Sequence, residues 1–285
     1  MPNIGLVLSG GFAKGAYQVG VLRALAQHLP HDKIKYISAS SVGVLNAYGF
    51  VQNKLDEVEK MWRNQNFSDL RSFLHSYVRS SYVPNAIREI TKEYRFFRPD
   101  LYTTLLNITD RRLNYINLKE IDPKIIWGYL QVSVSLPMVS KIVEISEKKY
   151  CDGAFVDNIP VTPLLKRPLD YAIVVHFDQS NYVFENKYFN SKLIKINFMD
   201  DKIMRDSMAF DKDSIDHMIK SGYDESIAMF DMHFKNGLDD IEYIYDKIRF
   251  VDNIRGKQPF RLTGDVVVNN MNRVLKRIIR SKIKK

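Results

Sequence analysis

The chain has 285 residues, 45% of them hydrophobic, and a formal net charge of +9. That length and apolar content support one large domain or two small ones with a substantial core. No apolar run approaches the roughly 18 residues of a membrane-spanning helix, Met1-Pro2-Asn3 opens without a basic, apolar leader, and a lone Cys151 excludes an intrachain disulfide or a cysteine-based metal cluster.

The expectation is a cytoplasmic protein of a reducing compartment, with export lacking a signal left open. The positive excess gathers at the end, where Arg273, Lys276, Arg277, Arg280, Lys282, Lys284 and Lys285 follow Asp265 with no further acidic residue. No helix-turn-helix, RNA-binding or zinc-finger signature accompanies it, so no nucleic-acid partner is expected. Peripheral contact with an anionic membrane and a solvated terminal helix are the two readings of the tail.

Ile4-Gly5-Leu6-Val7-Leu8 is wholly apolar, the pattern of a strand covered on both faces of a parallel sheet. It runs into Ser9-Gly10-Gly11-Phe12-Ala13-Lys14-Gly15, and a helix follows with Val19, Leu22, Leu25 and Leu29 at helical spacing and Pro30 just beyond. The glycine loop fits neither the dinucleotide template nor the Walker template. It does offer backbone N–H groups at a helix N-terminus, with no side chains at Gly10 and Gly11 to block an anion. A tight strand-to-helix connection is the plainer reading of the same residues.

Ile34-Lys35-Tyr36-Ile37 is the second strand, and Val42 to Val51 reads as a buried helix. Between them, Ser38-Ala39-Ser40-Ser41-Val42-Gly43 has the spacing of a nucleophile elbow, which needs very small residues two positions either side of the serine because strand and helix nearly collide. Ser41 fits that frame, between Ala39 and Gly43. Ser40 does not, because Val42 would take the tight position.

An amphipathic helix is predicted over Lys54–Gln65, and residues 66–97 are rich in aromatics, among them Phe67, Phe73, Tyr77, Tyr82, Tyr94, Phe96 and Phe97. They read as mostly helix interrupted near Pro84, chiefly core packing with an acyl-pocket lining as the alternative. Strands Leu101–Leu106 and Leu113–Asn117 pair across Asp110-Arg111, and a helix covers Lys124–Gln131. Asp152-Gly153-Ala154 closes a further strand, by itself no more than a turn. Tyr171–Phe177 and Leu193–Phe198 are buried strands, and Ile215, Met218, Ile219, Gly222, Tyr223, Ile227, Phe230 and Phe234 form one apolar helix face. Met199, Met204, Met208, Met218, Met229 and Met232 read as core gap-fillers, with an acyl-chain lining as the alternative. Alternation of strands and helices implies a mostly parallel sheet covered on both faces.

Three stretches together resemble the patatin-like phospholipase family: Ser9 to Gly15 is similar to its glycine-rich loop, Ala39 to Ala47 to its G-x-S-x-G elbow and following helix, and Asp152-Gly153-Ala154 to its D-G-[GA] triplet. Ser133 to Pro137 precede that triplet, and Asn158 and Pro160 follow it, as in the family. The resemblance covers roughly residues 4–235 and implies a three-layer α/β/α sandwich with a mostly parallel central sheet. It implies a catalytic domain, expected over 1–240, and leaves the end of the chain unassigned; residues 241–285 are expected to form a C-terminal extension packed on the same domain and ending in a basic amphipathic helix. It further implies a Ser-Asp dyad, with Ser41 as nucleophile and Asp152 as general base. Gly10, Gly11 and the N–H of Phe12 would form the oxyanion hole, and Lys14, Gly15, Gly43 and Gly153 would support the motifs. No cofactor or metal is implied.

The implied substrate is a phospholipid or lysophospholipid acyl ester. Two departures stand out, Phe12 for a third loop glycine and Ala39 for the first elbow glycine. Two rival readings stay open. A Ser-His-Asp esterase would use Ser41, Asp152 and His176 in α/β-hydrolase order, and a lipid-binding protein on the same fold would have no turnover. Cys151 reads as a small buried residue.

Overall fold

The computed structural model describes residues 1–64, 82–136, 142–177, 184, 186–197 and 211–255. Phe67, Phe73 and Tyr77 of the aromatic stretch, Pro137, Met199, Met204, Met208 and the expected tail helix lie outside them.

Apolar, β-branched runs form the strands β1 (Ile4–Leu8), β2 (Ile34–Ala39), β7 (Tyr171–His176) and β8 (Leu193–Asn197), and with β3 (Asp100–Asn107) on β2 they make a run of five parallel strands, β3-β2-β1-β7-β8. β4 (Arg112–Asn117), β5 (Val143–Ile145) and β6 (Lys148–Asp152) add antiparallel ladders. The sheet of eight strands runs β5-β6-β3-β2-β1-β7-β8, with β4 on β3. Helices flank it, giving the expected three-layer sandwich. Alternate residues of β1 divide between its faces. Ile4, Leu6 and Leu8 join the main core, and Val7 joins a second cluster with Ile159, Leu164, Val174 and Leu193.

The main core is closed by α1 (Gly15–His28), α2 (Val42–Val51), α3 (Leu55–Arg63), α8 (Lys212–His233) and α9 (Ile241–Ile254), while α6 (Thr162–Leu165) and α7 (Lys187–Asn190) cover the other face. α4 (Tyr82–Thr91) and α5 (Pro123–Ser133) complete the helices described. α4 runs through Pro84, which sits in its first turn, where a missing N–H costs no helical bond. Of the named aromatics whose side chains are described, Phe97 is buried in the core, Tyr94 is half-buried against it and Phe96 is exposed. Ile244 and Ile248 place α9 in the same core as β7.

Three features position the site. The chain leaves β1 for β2 on one side while β7 lies on the other, so the strand ends at β1 form a topological switch point, the place where open α/β sheets bind their ligands. α1 and α8 cross with backbones almost touching: a Cβ on Gly20 would lie 2.0 Å from Ile219 O, and one on Gly222 would lie 2.1 Å from Tyr17 O. Most decisive is the length of β3. β2 ends with Ala39 opposite Thr103, but β3 continues to Asn107, and its overhang pairs with β6, Leu105 opposite Asp152. β4 occupies the other edge of β3, so β2 and β6 share one edge and meet end to end. Two chain segments 113 positions apart are thereby brought together across a single residue, Thr104.

Candidate active site

Ser41 is the second of the two residues between β2 and α2 and caps the helix N-terminus, at φ 52° and ψ −134°, a conformation that L-residues rarely adopt. The strain is forced by close packing: a Cβ on Gly43 would lie 2.8 Å from both Leu8 O and Ser9 O, so α2 abuts the end of β1 and the turn has no slack. Ala39 is not among the positive-φ residues, so its methyl is accommodated in the strand and the strain falls on the serine.

Ser40 is fully buried and acts as a brace. Its hydroxyl donates to Asn158 O at 2.9 Å and accepts from Gly10 N–H at 3.2 Å. Gly10 N–H also lies 3.3 Å from Asn158 O, and Asn158 Nδ2 donates to Gly10 O at 3.3 Å. Gly10 N–H, expected as an oxyanion donor, is therefore committed within the protein, whereas Gly11 N–H has no acceptor among the described residues. What Gly10 supplies is clearance: a Cβ there would lie 2.6 Å from Asn158 Oδ1, 2.8 Å from Ser41 Cβ and 3.3 Å from Ala154 Cβ. The three motifs converge on that missing side chain. Phe12 has φ 51°, so the departure from glycine is carried as backbone strain in the loop.

Asp152 ends β6 and is 1% exposed. Its Oδ1 accepts from Ala154 N–H at 2.9 Å, and the Ser41 hydroxyl hydrogen-bonds to the carboxylate. Burial pushes its pKa up to about 7 against the opposing effect of those two bonds. Gly153 is required beside it because a Cβ there would meet Thr104 backbone atoms at 2.7 Å. The loop that follows is held by Tyr115, whose hydroxyl donates to Asp157 at 2.6 Å. Burial raises the Cys151 thiol to about 11, with the neighbouring Asp152 adding to the effect, so it is a protonated, buried thiol at neutral pH.

The other expected residues fall nearby. Lys14 is 8% exposed, with Nζ 5.8 Å from the Phe177 ring centroid, and that ring would clash at 2.3 Å with any Cβ on Gly11. His176 ends β7, two strands from β2 in the sheet order. It is buried and held down to about 3, by burial first and then by the charges of Lys195 and Arg255. The groups acting on Asp152 are Ser41 and Ala154, not this histidine. Nothing in the sequence marked Ser40 and Asn158 as a brace, because the partners are 118 positions apart.

Chemically, the arrangement couples a buried carboxylate of near-neutral pKa to a strained serine beside a glycine loop. The family model described as patatin-like phospholipase matches residues 6–165. Lysophospholipase NTE1 of Kluyveromyces lactis is 32% identical over 177 residues, covering 58% of this chain and 12% of that protein. Lysophospholipase NTE1 of Saccharomyces cerevisiae is 32% identical over 177 residues, covering 58% and 10%. The chain thus matches about a tenth of the length of these relatives. The structure of VipD from Legionella pneumophila shares the fold, with a TM-score of 0.51 at 14% identity, covering 82% of this chain and 67% of that one. The chain belongs to the patatin-like phospholipase family.

Proposed function

We propose that this chain hydrolyses acyl esters of phospholipids or lysophospholipids through Ser41 and Asp152. The observation that carries the proposal is the buried Asp152 carboxylate, of pKa about 7, hydrogen-bonded to a serine at φ 52°. A carboxylate of ordinary pKa is a poor acceptor for a serine proton, and desolvation makes this one a usable base near neutrality.

In acylation, Ser41 Oγ bonds to the ester carbonyl carbon as its proton passes to Asp152, and the carbonyl oxygen takes the negative charge. The N–H groups of Gly11 and Phe12 face that charge, with Gly10 leaving the space for it. Each such donor contributes on the order of a few kcal/mol to the barrier in acyl transfer. Collapse breaks the ester C–O bond, and Asp152 returns its proton to the leaving alkoxide. Water then gives a proton to Asp152 and attacks the acyl-enzyme, and the reverse collapse releases the fatty acid and regenerates Ser41.

The lipid substrate class is supported by the family and by the printed names of the relatives, both lysophospholipases. Such a substrate sits at a lipid surface, where the basic residues beyond Asp265 would supply peripheral contact. The proposed organisation is a catalytic domain over 1–240 with the rest as an extension on it. The test is fluorophosphonate labelling of the folded protein, with hydrolysis of lysophosphatidylcholine and a phospholipid panel. Labelling and turnover should both vanish in Ser41→Ala, and turnover in Asp152→Asn. A folded wild-type chain that neither labels nor turns over would instead support a lipid-binding protein.

A further inference from the structure

Five residues beyond Ser41, α2 carries the fully buried Asn46. Its Nδ2 donates to Gly15 O at 2.8 Å and to Gln18 Oε1 at 2.9 Å, and its Oδ1 accepts from Trp62 Nε1 at 2.9 Å. Gln18 Nε2 in turn donates to Ser9 O at 2.7 Å. Gln18 and Trp62 are 0% and 1% exposed.

Ser9 and Gly15 stand immediately before and after the loop Gly10–Lys14. Both flanking carbonyls of the glycine loop are therefore held by amides: Asn46, on the helix that the nucleophile begins, holds Gly15 O directly and bonds Gln18 of α1, which holds Ser9 O. Gly15 must be glycine for this, because a Cβ there would lie 2.3 Å from Trp62 Cζ2. Buried polar side chains lose hydration, and apolar ones of similar volume would fill the same space at no such cost. What the network adds is direction. Each bond has one donor and one acceptor, so the loop and α2 can dock in one register only.

We infer that Asn46, Gln18 and Trp62 are positioning residues of the proposed reaction, fixing the oxyanion loop relative to Ser41; the role rests on Ser41 being the nucleophile. They touch neither substrate nor Asp152. A displacement of about 1 Å between reacting groups costs up to about 100-fold in rate, so the effect of losing them falls on turnover.

The test uses the full chain and a soluble short-chain ester, with rates counted per fluorophosphonate-reactive site. Asn46→Asp keeps the side-chain shape and the acceptor for Trp62 but removes both N–H donors. Gln18→Met removes the tie to Ser9, and Trp62→Phe removes one N–H and keeps an aromatic ring. Expected are a kcat loss of about 10- to 100-fold for Asn46→Asp, about tenfold for Gln18→Met and a smaller loss for Trp62→Phe. KM should stay within about twofold, affinity for a trifluoromethyl ketone should fall in parallel with kcat/KM, and the acid limb of the pH profile should not move. As a control, Gln52→Leu removes a buried amide of the same region, one that donates to Arg95 O at 2.7 Å and accepts from Arg95 N–H at 2.8 Å. It should lower the melting temperature with kcat unchanged. Wild-type kcat and ketone affinity in Gln18→Met and Trp62→Phe, with only the melting temperature lowered, would overturn the inference. Those two variants decide it should Asn46→Asp fail to fold. Failure of the underlying reading appears separately, as turnover that survives Ser41→Ala.

Discussion

Among the described residues no cation figures in setting the pKa of Asp152; burial alone drives it up, and two hydrogen bonds restrain it. Two consequences follow in opposite directions. As the proposed base, the group would work only when ionised, so kcat/KM should rise with unit slope through about pH 7 and then level, standing roughly 100-fold below the plateau at pH 5. A rate on a soluble ester already flat from pH 5 would refute it. For stability the sign reverses. The folded state holds a proton that the unfolded chain releases near pH 4, so the stabilisation is full below about pH 4 and is lost as pH rises through 7. Asp152→Asn cannot ionise, yet its side-chain oxygen can still accept from Ala154 N–H. The variant should melt above wild type at pH 8, by up to roughly 4 kcal/mol, with the gap shrinking at pH 5. Thermal melts at the two pH values decide it, and a constant gap would count against the raised pKa. Ser41 and Asp152 were legible because each sits in a short pattern of small residues. The commitment of Gly10 N–H was not, since its partner Asn158 O arrives from a segment 148 positions away.

The elements were readable for the same reason, and their arrangement was not. Uninterrupted apolar runs marked β1 and β7, and helical spacing marked α1 and α8. No periodicity shows that β3 overhangs β2 by four residues, or that β6 fills the vacant edge. That end-to-end meeting delivers Asp152 to Ser41. His176 illustrates the same point, because its place in chain order suited a triad but β7 lies beyond β1 from the strand that leads into Ser41. His176→Ala should accordingly keep turnover per folded molecule within about threefold while lowering the melting temperature, as removal of a well-packed buried ring does. Collapse of activity in a folded variant would restore the triad. The α1–α8 crossing offers a second test. In Gly222→Ala the new methyl falls 2.1 Å from Tyr17 O, a backbone atom that cannot rotate away, so the helices must separate. Overpacking of this kind costs about 1–3 kcal/mol, and chemical denaturation should show a lower midpoint.

At the scale of the whole molecule, charge and chemistry are separated along the chain. Residues 256–285 contain nine Lys and Arg against a single acidic residue, Asp265, so the remainder is nearly neutral and the net +9 belongs almost wholly to the tail. Among the described residues no helix is long and apolar enough to cross a membrane, and the proposed lipid-cleaving site at the strand ends would meet its substrate at a lipid surface. A basic stretch near anionic lipid gains about 1 kcal/mol per Lys or Arg, an attraction that salt screens over a Debye length of about 8–10 Å. The apolar residues Val274, Leu275, Ile278, Ile279 and Ile283 are spaced for one side of a helix, which would add an insertion component insensitive to salt. Deleting residues 270–285 removes seven basic side chains. Binding to vesicles containing phosphatidylserine should then fall by at least tenfold at low salt, while kcat on a short soluble ester is unchanged. High salt applied to the full chain should reproduce only the electrostatic part of that loss. Measuring both separates attraction from insertion. Vesicle binding that survives both the deletion and the salt would place the lipid contact in the folded domain instead, close to the strand ends where Ser41 lies.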